Sequence, residues 1–478
     1  MNPVRRQRLT LAGSVTGAVV VALDGSVLTV VQPVLQRELH ASITQVQWTS
    51  TGYLIAVASL LVFAGRLGDR YGHKRIFATG VLGFATTSAA IGLAQSIGTV
   101  IGLRIAQGVF GALLQPATLG MLRAAYPPGR LAMPIALRTS AIGVAVAAGP
   151  VLGGAIAAHM GWRSVFFLSV VPAIAVGVLA LCVPIPEPRR ADQGRRGLDL
   201  PGACLLAMTL GCLVHALVGL PDTGWTQVSG LVAAAAVTAG SAFVLHERLT
   251  ASPLIPPAVL RSVPVTSALT VLVSASASLF GVLFLGTYLL QDVLGLDPFA
   301  SALRMLPMAV MMVLGAPASA VLQRRLGHRT TTAAGMLLLT LGILLASRLD
   351  GASGFAPVSL CFLVMGAGFA PVMVTATAVI VHRASVDTAG VSGGLQQTAM
   401  NIGPALGVAA TTMLMGLATP GAAGAGRSGV AFVEAMGPTL VALAALALAG
   451  ALVAVGLPGR DSRPARSGPR ATRAGAGT

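Results

Sequence analysis

Two charged residues lie well inside long apolar runs: Asp24 in VVVALDGSVLTVV and Arg104 in IGLRIAQGVF. Placing an ionised carboxylate in hydrocarbon costs about 2.5 to 3.5 kcal/mol on insertion scales, so such a group faces a cavity or a partner. Desolvation favours its protonated form, which suits Asp24 to taking up and releasing a proton. Arg104 enters its run about six residues from one end, and Asp24 lies about ten residues before the corresponding end of the first run. At 1.5 Å per residue those depths differ by about 6 Å, so both groups belong to one layer. A neighbouring guanidinium favours the ionised carboxylate and opposes desolvation, and separating the two would change proton affinity. Two plainer readings stand beside this one: a polar residue that bridges helices, and a fixed helix–helix ion pair.

The elements that position these residues follow from composition. Hydrophobic residues make up 55% of the 478 and charged residues only 9%, with mean hydropathy +0.84, against roughly 25% charged in soluble domains. The chain is an integral membrane protein. Net charge +17 invites a nucleic-acid reading, but the cations fall in short segments between apolar runs, as membrane topology requires, and form no basic face with aromatic readers. Cys182, Cys204, Cys212 and Cys361 lie in apolar runs with no metal spacing. No metal site and no cofactor are expected. The apolar stretch after MNPVRRQRLTLAG is too long for a cleaved signal of about 7 to 15 apolar residues and reads as the first span.

About 20 residues cross a 30 Å hydrocarbon layer. Runs of that length fall at 9–36, 45–66, 76–96, 98–122, 132–158, 164–183, 200–220, 227–246, 264–291, 302–323, 330–348, 356–381, 390–417 and 431–457. With both termini inside, 25 of the 31 cations fall on the inner side. The outer side receives only Arg37, Arg163, Arg304, Arg348 and Arg427, and Arg104 is within a span. A missed span would invert every later loop, so the split supports fourteen spans with both ends in the cytoplasm. The tail from Arg460 is rich in Pro, Gly and Arg and is expected to be a disordered cytoplasmic end near anionic lipid.

Between the second and third runs stands GRLGDRYGHKR, residues 65–75. AVLQRRLGHRT, residues 320–330, aligns with it at Leu67/Leu322, Arg70/Arg325, Gly72/Gly327, His73/His328 and Lys74/Arg329. One copy per half is what two parallel transporter repeats would give. Arg324 replaces the acid Asp69, so the halves are not equivalent there.

Those residues resemble a known family. GRLGDRYGHKR is similar, at Gly65, Leu67, Asp69, Arg70, Gly72, Lys74 and Arg75, to the loop signature of the major facilitator superfamily. Arg104, Gln107 and Gly108 resemble its fourth-span motif, and Gly149, Pro150, Gly153 and Gly154 its fifth-span antiporter motif. LDGSVLTVVQP, residues 23–33, resembles the first-span motif of the fourteen-span drug:proton antiporters. Ala145 and Met400 depart from that pattern.

The resemblance implies an all-α fold of two six-helix bundles plus two extra helices. Its divisions are residues 1–183, a linker with the extra helices at 184–263, the second bundle at 264–457, and the tail at 458–478. It implies a proton-coupled antiporter that exports apolar or amphipathic drugs or antibiotics across the inner (cytoplasmic) membrane. Its partners would be small molecules, protons and lipid, without nucleic acid, and the chain is expected to be monomeric. Asp24 and Arg104 would couple the proton, and the antiporter motif would mark export. Asp69, with Arg70, would latch the outward-facing state against the start of the helix from Thr388. Small residues at the GPxxGG spacing also let helices approach closely with no other role, on roughly one side of the fifth helix.

Gln32, Gln107, Gln115, Gln291, Gln396, Gln397 and Asn401, with Tyr53 and Tyr288, are candidates for the substrate cavity or for hydrogen bonds between helices. His215 reads as a packing residue. An uptake permease on the same fold is the alternative. An intramembrane enzyme would need paired catalytic groups at depth, and the sequence has none of the expected motifs.

Overall fold

The computed structural model describes residues 3–127, 132–182, 199–223, 226–250, 253, 261–383, 389–418 and 429–459. The described chain is helical throughout. The helices are α1 Pro3–Glu38, α2 Ile43–Tyr71, α3 His73–Gly92, α4 Ile97–Ala125, α5 Ala132–Met160, α6 Trp162–Phe167, α7 Val170–Cys182, α8 Leu200–Thr223 and α9 Gln227–Leu249. They continue as α10 Val263–Tyr288, which runs into a π-helical turn Leu289–Val293, then α11 Pro298–Leu326, α12 His328–Ala346, α13 Phe355–Arg383, α14 Ala389–Ala418 and α15 Gly429–Val453.

Among the described residues, thirteen helical segments are long and apolar enough to cross a membrane, with α6 and α7 together forming one of them. The run expected at 76–96 forms as α3. It is not among the thirteen because it opens on His73, Lys74 and Arg75, so its apolar stretch begins only at Ile76.

The packing repeats. Helix α2 lies on α4, α1 on α5, and α3 on α4 and α7; in the same way α11 lies on α13, α10 on α14, and α12 on α13 and α15. The two sets meet through the corresponding pairs α5 with α11 and α14 with α2. Helix α8 pairs with α9 and packs on both α2 and α14. Leu210 and Val214 join Ile55, Ala58, Ala405 and Ala409 in one apolar cluster there. His215 lies beside Trp48, with ring centroids 6.3 Å apart. A buried Asp199 at the start of α8 accepts from Gly202 N–H at its Oδ1 and meets His246 Nε2 of α9 at 2.6 Å, closing that hairpin.

The loop copies also repeat in geometry. Gly72 ends α2 and starts α3 in one residue at φ 95°, and Gly327 does the same between α11 and α12 at φ 85°. A side chain at such φ is strained, which accounts for glycine in both copies. Lys74 Nζ donates to Leu181 O at 3.0 Å, at the end of α7. Its counterpart Arg329 donates Nε to Leu457 O at 3.1 Å, just after α15. Each cation therefore satisfies a carbonyl at the end of the last helix of its own set, where backbone acceptors lack helical partners and cations are favoured. His73 is wedged between α2 and α4: a Cβ on Gly68 or on Gly120 would overlap its ring. Gly65 faces Pro116, with 3.8 Å between a built Cβ and the proline Cβ.

Arg70 lies over Tyr71, its guanidinium carbon 5.5 Å from the ring centroid. The side chains of Asp69 and Arg324 and the stretch 384–388, on which the expected latch depends, lie outside the described residues.

Alanine at position 72 or 327 should destabilise the protein by about 1 to 3 kcal/mol through backbone strain. Gly143→Ala, on an open helical face, should be neutral or stabilising. Melting temperatures of the purified variants in detergent check this; equal behaviour at the three positions would contradict it.

Candidate functional site

Asp24 and Arg104 meet in the interior. Arg104 Nη1 lies 2.6 Å from Asp24 Oδ2, with side chains 1% and 4% exposed. Three helices assemble the pair. Helix α1 carries the carboxylate, α4 carries the guanidinium, and α2 receives Arg104 Nε at Thr49 O, 3.0 Å away. The Tyr53 ring, one turn further along α2, lies under the guanidinium with 4.5 Å from Cζ to centroid. Such a cation–π contact is worth up to about 2 kcal/mol when desolvated. Gln107, one turn after Arg104, accepts from Arg104 Nη1 at its Oε1 and donates Nε2 to Asp24 Oδ1 at 3.1 Å. The same Nε2 donates to Ser88 Oγ of α3 at 2.6 Å, and Ser169 Oγ, between α6 and α7, donates to Ser88 Oγ at 3.3 Å. Both carboxylate oxygens thus have donors, as a buried charge requires.

Glycines set the spacing. A Cβ on Gly108 would come within 2.6 Å of Tyr53 O, and one on Gly111 within 3.0 Å of the Tyr53 hydroxyl oxygen. These positions hold α2 against α4. A Cβ on Gly149 would overlap Ser26 Oγ, and one on Gly153 would stand 2.5 Å from Val27 Cγ1, which holds α5 against α1 beside Asp24. Gly154 instead faces Pro298 O of α11, also at 2.5 Å. The expected single side is corrected to two: residues four apart share a helical face, whereas the next one turns by about 100°. Pro150 lies inside α5.

The other polar candidates go to several places. Gln32 Nε2 donates to Ser50 Oγ at 2.8 Å, tying α1 to α2. Gln396 donates to Thr377 Oγ1 at 3.1 Å, and Asn401 to Gln397 O at 2.8 Å. Gln115 is half-buried on α4, with its carbonyl accepting from Thr118. Tyr288 is buried, its ring 5.1 Å from that of Phe284. Gln291, in the π-helical turn, donates to Val30 O of α1 at 2.7 Å. Next to it Asp292 pairs with Arg37 at 3.2 Å. With Gly154 against Pro298, these contacts join the two helix sets at the end opposite Gly72 and Gly327.

Ser88, Ser169, Thr49 and Asp292 escaped sequence reasoning. Hydroxyl residues are ordinary in apolar helices, Thr49 acts through its carbonyl, and Asp292 is far from Arg37 in sequence, so none of them left a signal. Among the described residues no cluster of three His, Cys, Asp or Glu side chains could hold a metal ion.

Two helix sets repeat one packing scheme, and among the described residues the Asp24–Arg104 pair lies buried in the first. The Major Facilitator Superfamily model matches residues 15–408, and the chain belongs to that superfamily. It is similar to the "Tetracenomycin C resistance and export protein" of Streptomyces glaucescens, 42% identical over 407 residues, 85% of this chain and 75% of that one. It is also similar to the "Cephamycin export protein CmcT" of Amycolatopsis lactamdurans, 34% identical over 85% of this chain and 84% of the relative. A bacterial homologue of the human lysosomal transporter Spinster shares the fold, with TM-score 0.63, 16% identity, and 95% of this chain and 97% of that one covered.

Removing one partner of a buried pair costs about 3 to 5 kcal/mol because the other charge is left uncompensated. Arg104→Gln should therefore destabilise strongly, and Asp24→Asn in the same chain should restore much of the loss. A thermal-unfolding cycle over the two single variants and the double variant checks the coupling; additive losses would contradict it.

Proposed function

We propose that the chain is a proton-coupled antiporter that exports apolar or amphipathic small molecules, drugs or antibiotics, across the cytoplasmic membrane by alternating access. The observation that carries this reading is the buried Asp24–Arg104 pair. The antibiotic export proteins among its relatives support export over the alternative, an uptake permease. In the proposed topology fourteen spans, α3 included, leave both ends in the cytoplasm, and the Arg37–Asp292 end faces outward. The bundles 1–183 and 264–457 would move against each other, with 184–263 carrying the extra helices. The chain would work as a monomer with the proton gradient as its energy source and no cofactor.

The mechanism follows from where α1 is held. With Asp24 ionised, Arg104 binds it while also holding Thr49 O and Gln107, so α1, α2 and α4 are drawn together. A proton on Asp24 removes the charge attraction and releases α1. Val30 and Arg37 lie six and thirteen residues further along the same helix, about 9 and 20 Å away, and both contact the second set. Protonation at Asp24 thus loosens the helix that closes the outward end. Release of the proton to the cytoplasm restores the pair as substrate leaves. With a single carboxylate at depth and that one engaged by the proton, the cavity suits neutral or monocationic substrates.

Efflux of tetracenomycin C, cephamycin and ethidium from cells and vesicles expressing the chain tests this reading. Wild type should drive gradient-dependent efflux of at least one, collapsing when an uncoupler is added. Asp24→Asn should lower the melting temperature and, compared at equal amounts of folded protein in the membrane, should lose the dependence. Unchanged efflux in that variant would sink the role of Asp24.

A further inference from the structure

The span formed by α6 and α7 is interrupted at Leu168 and Ser169, where Leu168 N–H reaches back only to Val165 O. The cause is local. Pro172 sits in the first turn of α7, and a proline ring clashes with the carbonyl four residues earlier, that of Leu168. Beside the break lies a small cavity with about 10 Å³ of room for a water centre, the size that holds one water. Asp24 and Ser169 are its polar lining, and Leu28, Val165, Phe166 and Leu168 are among its apolar walls. Both polar residues are buried.

The position of this cavity separates it from the meeting of the two helix sets. Helices α6 and α7 pack on α1, α3 and α5, all in the first set. Arg104 and Gln107 approach Asp24 from α4, while the cavity reaches it from α6–α7. An ionised carboxylate has about four acceptor positions over its two oxygens, and two are taken by Arg104 and Gln107, leaving lone pairs for a water. Ser169 Oγ is held by Ser88 Oγ and Phe166 O at 3.3 and 3.1 Å, so its lone pairs can accept from the same water. Ser88 in turn is held by Gln107. The chain Ser169–Ser88–Gln107 therefore fixes one wall of the cavity to the residue that orients Asp24.

The geometry points to a proton-access site for Asp24: one water, held by Ser169 at the α6–α7 break, passes the proton to and from the carboxylate on the side away from α4. The site rests on the reading of Asp24 as the proton carrier. Hydronium gives its proton to the Asp24 carboxylate and leaves water, and the reverse step returns it, so nothing else is consumed. Ser169 and Ser88 are positioning residues.

Time-resolved infrared spectroscopy of the purified protein in lipid after a pH jump tests this without any substrate. Wild type should show a carboxyl band that rises as pH falls and is missing in Asp24→Asn. Ser169→Val and Leu168→Phe, which fill the cavity by different side chains, should slow that band at least tenfold. Val171→Leu, on the exposed face of α7 and outside the cavity lining, should remain within about twofold of wild type. Wild-type rates in both filled variants would overturn the access site while leaving Asp24 as the titrating group. A wild-type protein with no pH-sensitive band assignable to Asp24 would overturn the proton-carrier reading itself.

Discussion

A charge taken out of water must be met by another, and in this chain that constraint falls on one carboxylate. The penalty for burying two ions is several kcal/mol each and is offset only when geometry is good and remaining hydrogen-bonding positions are filled. Asp24 satisfies this with Arg104 and Gln107, and Arg104 with Asp24, Thr49 O, Gln107 and the Tyr53 ring. Much of the first bundle is arranged to make those contacts possible. Gly108 and Gly111 bring α2 close enough to α4 for Tyr53 to lie under the guanidinium, and Gly149 and Gly153 bring α5 onto α1 beside the carboxylate. Small residues serve packing in membranes because hydrocarbon gives helices no hydrophobic reason to associate. Here the same closeness also brings the ion pair's partners within hydrogen-bonding reach.

The second bundle repeats the scaffold without the charge. The glycine break at Gly72 recurs at Gly327, and the cation that holds the last helix recurs as Lys74 and Arg329. No acid in α10 answers to Asp24. One bundle therefore holds the buried carboxylate, and the other supplies a matching surface. Helix α8 adds a further asymmetry, lying over the α2/α14 seam and not over the α5/α11 seam. Any movement of α2 past α14 must slide along an apolar cluster that α8 shares with both.

Much of this was legible in the sequence, for identifiable reasons. Asp24 and Arg104 stand out because charges within apolar runs are costly, and counting residues places them at one depth. The loop repeat is legible because Gly72 and Gly327 are required by backbone conformation, a constraint that survives divergence of neighbouring side chains. The antiporter-motif glycines were legible as close contacts, but their partners were not: Gly154 turns to the other bundle because it lies one residue beyond the Gly149/Gly153 face. Ser88 and Ser169 carry no signal of their own, since serines satisfy themselves locally in many apolar helices. The break beside Ser169 did have one, Pro172, hidden in a run whose hydropathy alone reads as an uninterrupted span. Gln32 and Gln396 looked like cavity residues because a glutamine in a span needs partners, and the structure supplies those partners from neighbouring helices.

The central claim is that the charge on Asp24 sets which end of the molecule is closed. Distances between spin labels at Gln95→Cys and Ala352→Cys, exposed positions in different bundles near the Arg37–Asp292 end, test it most directly in a chain otherwise freed of cysteine. Measured by double electron–electron resonance across a pH series, the wild-type background should shift between two distance populations. With Asp24→Asn added, the distribution should stay at the low-pH population throughout. A variant that still shifts with pH as wild type does would contradict the account.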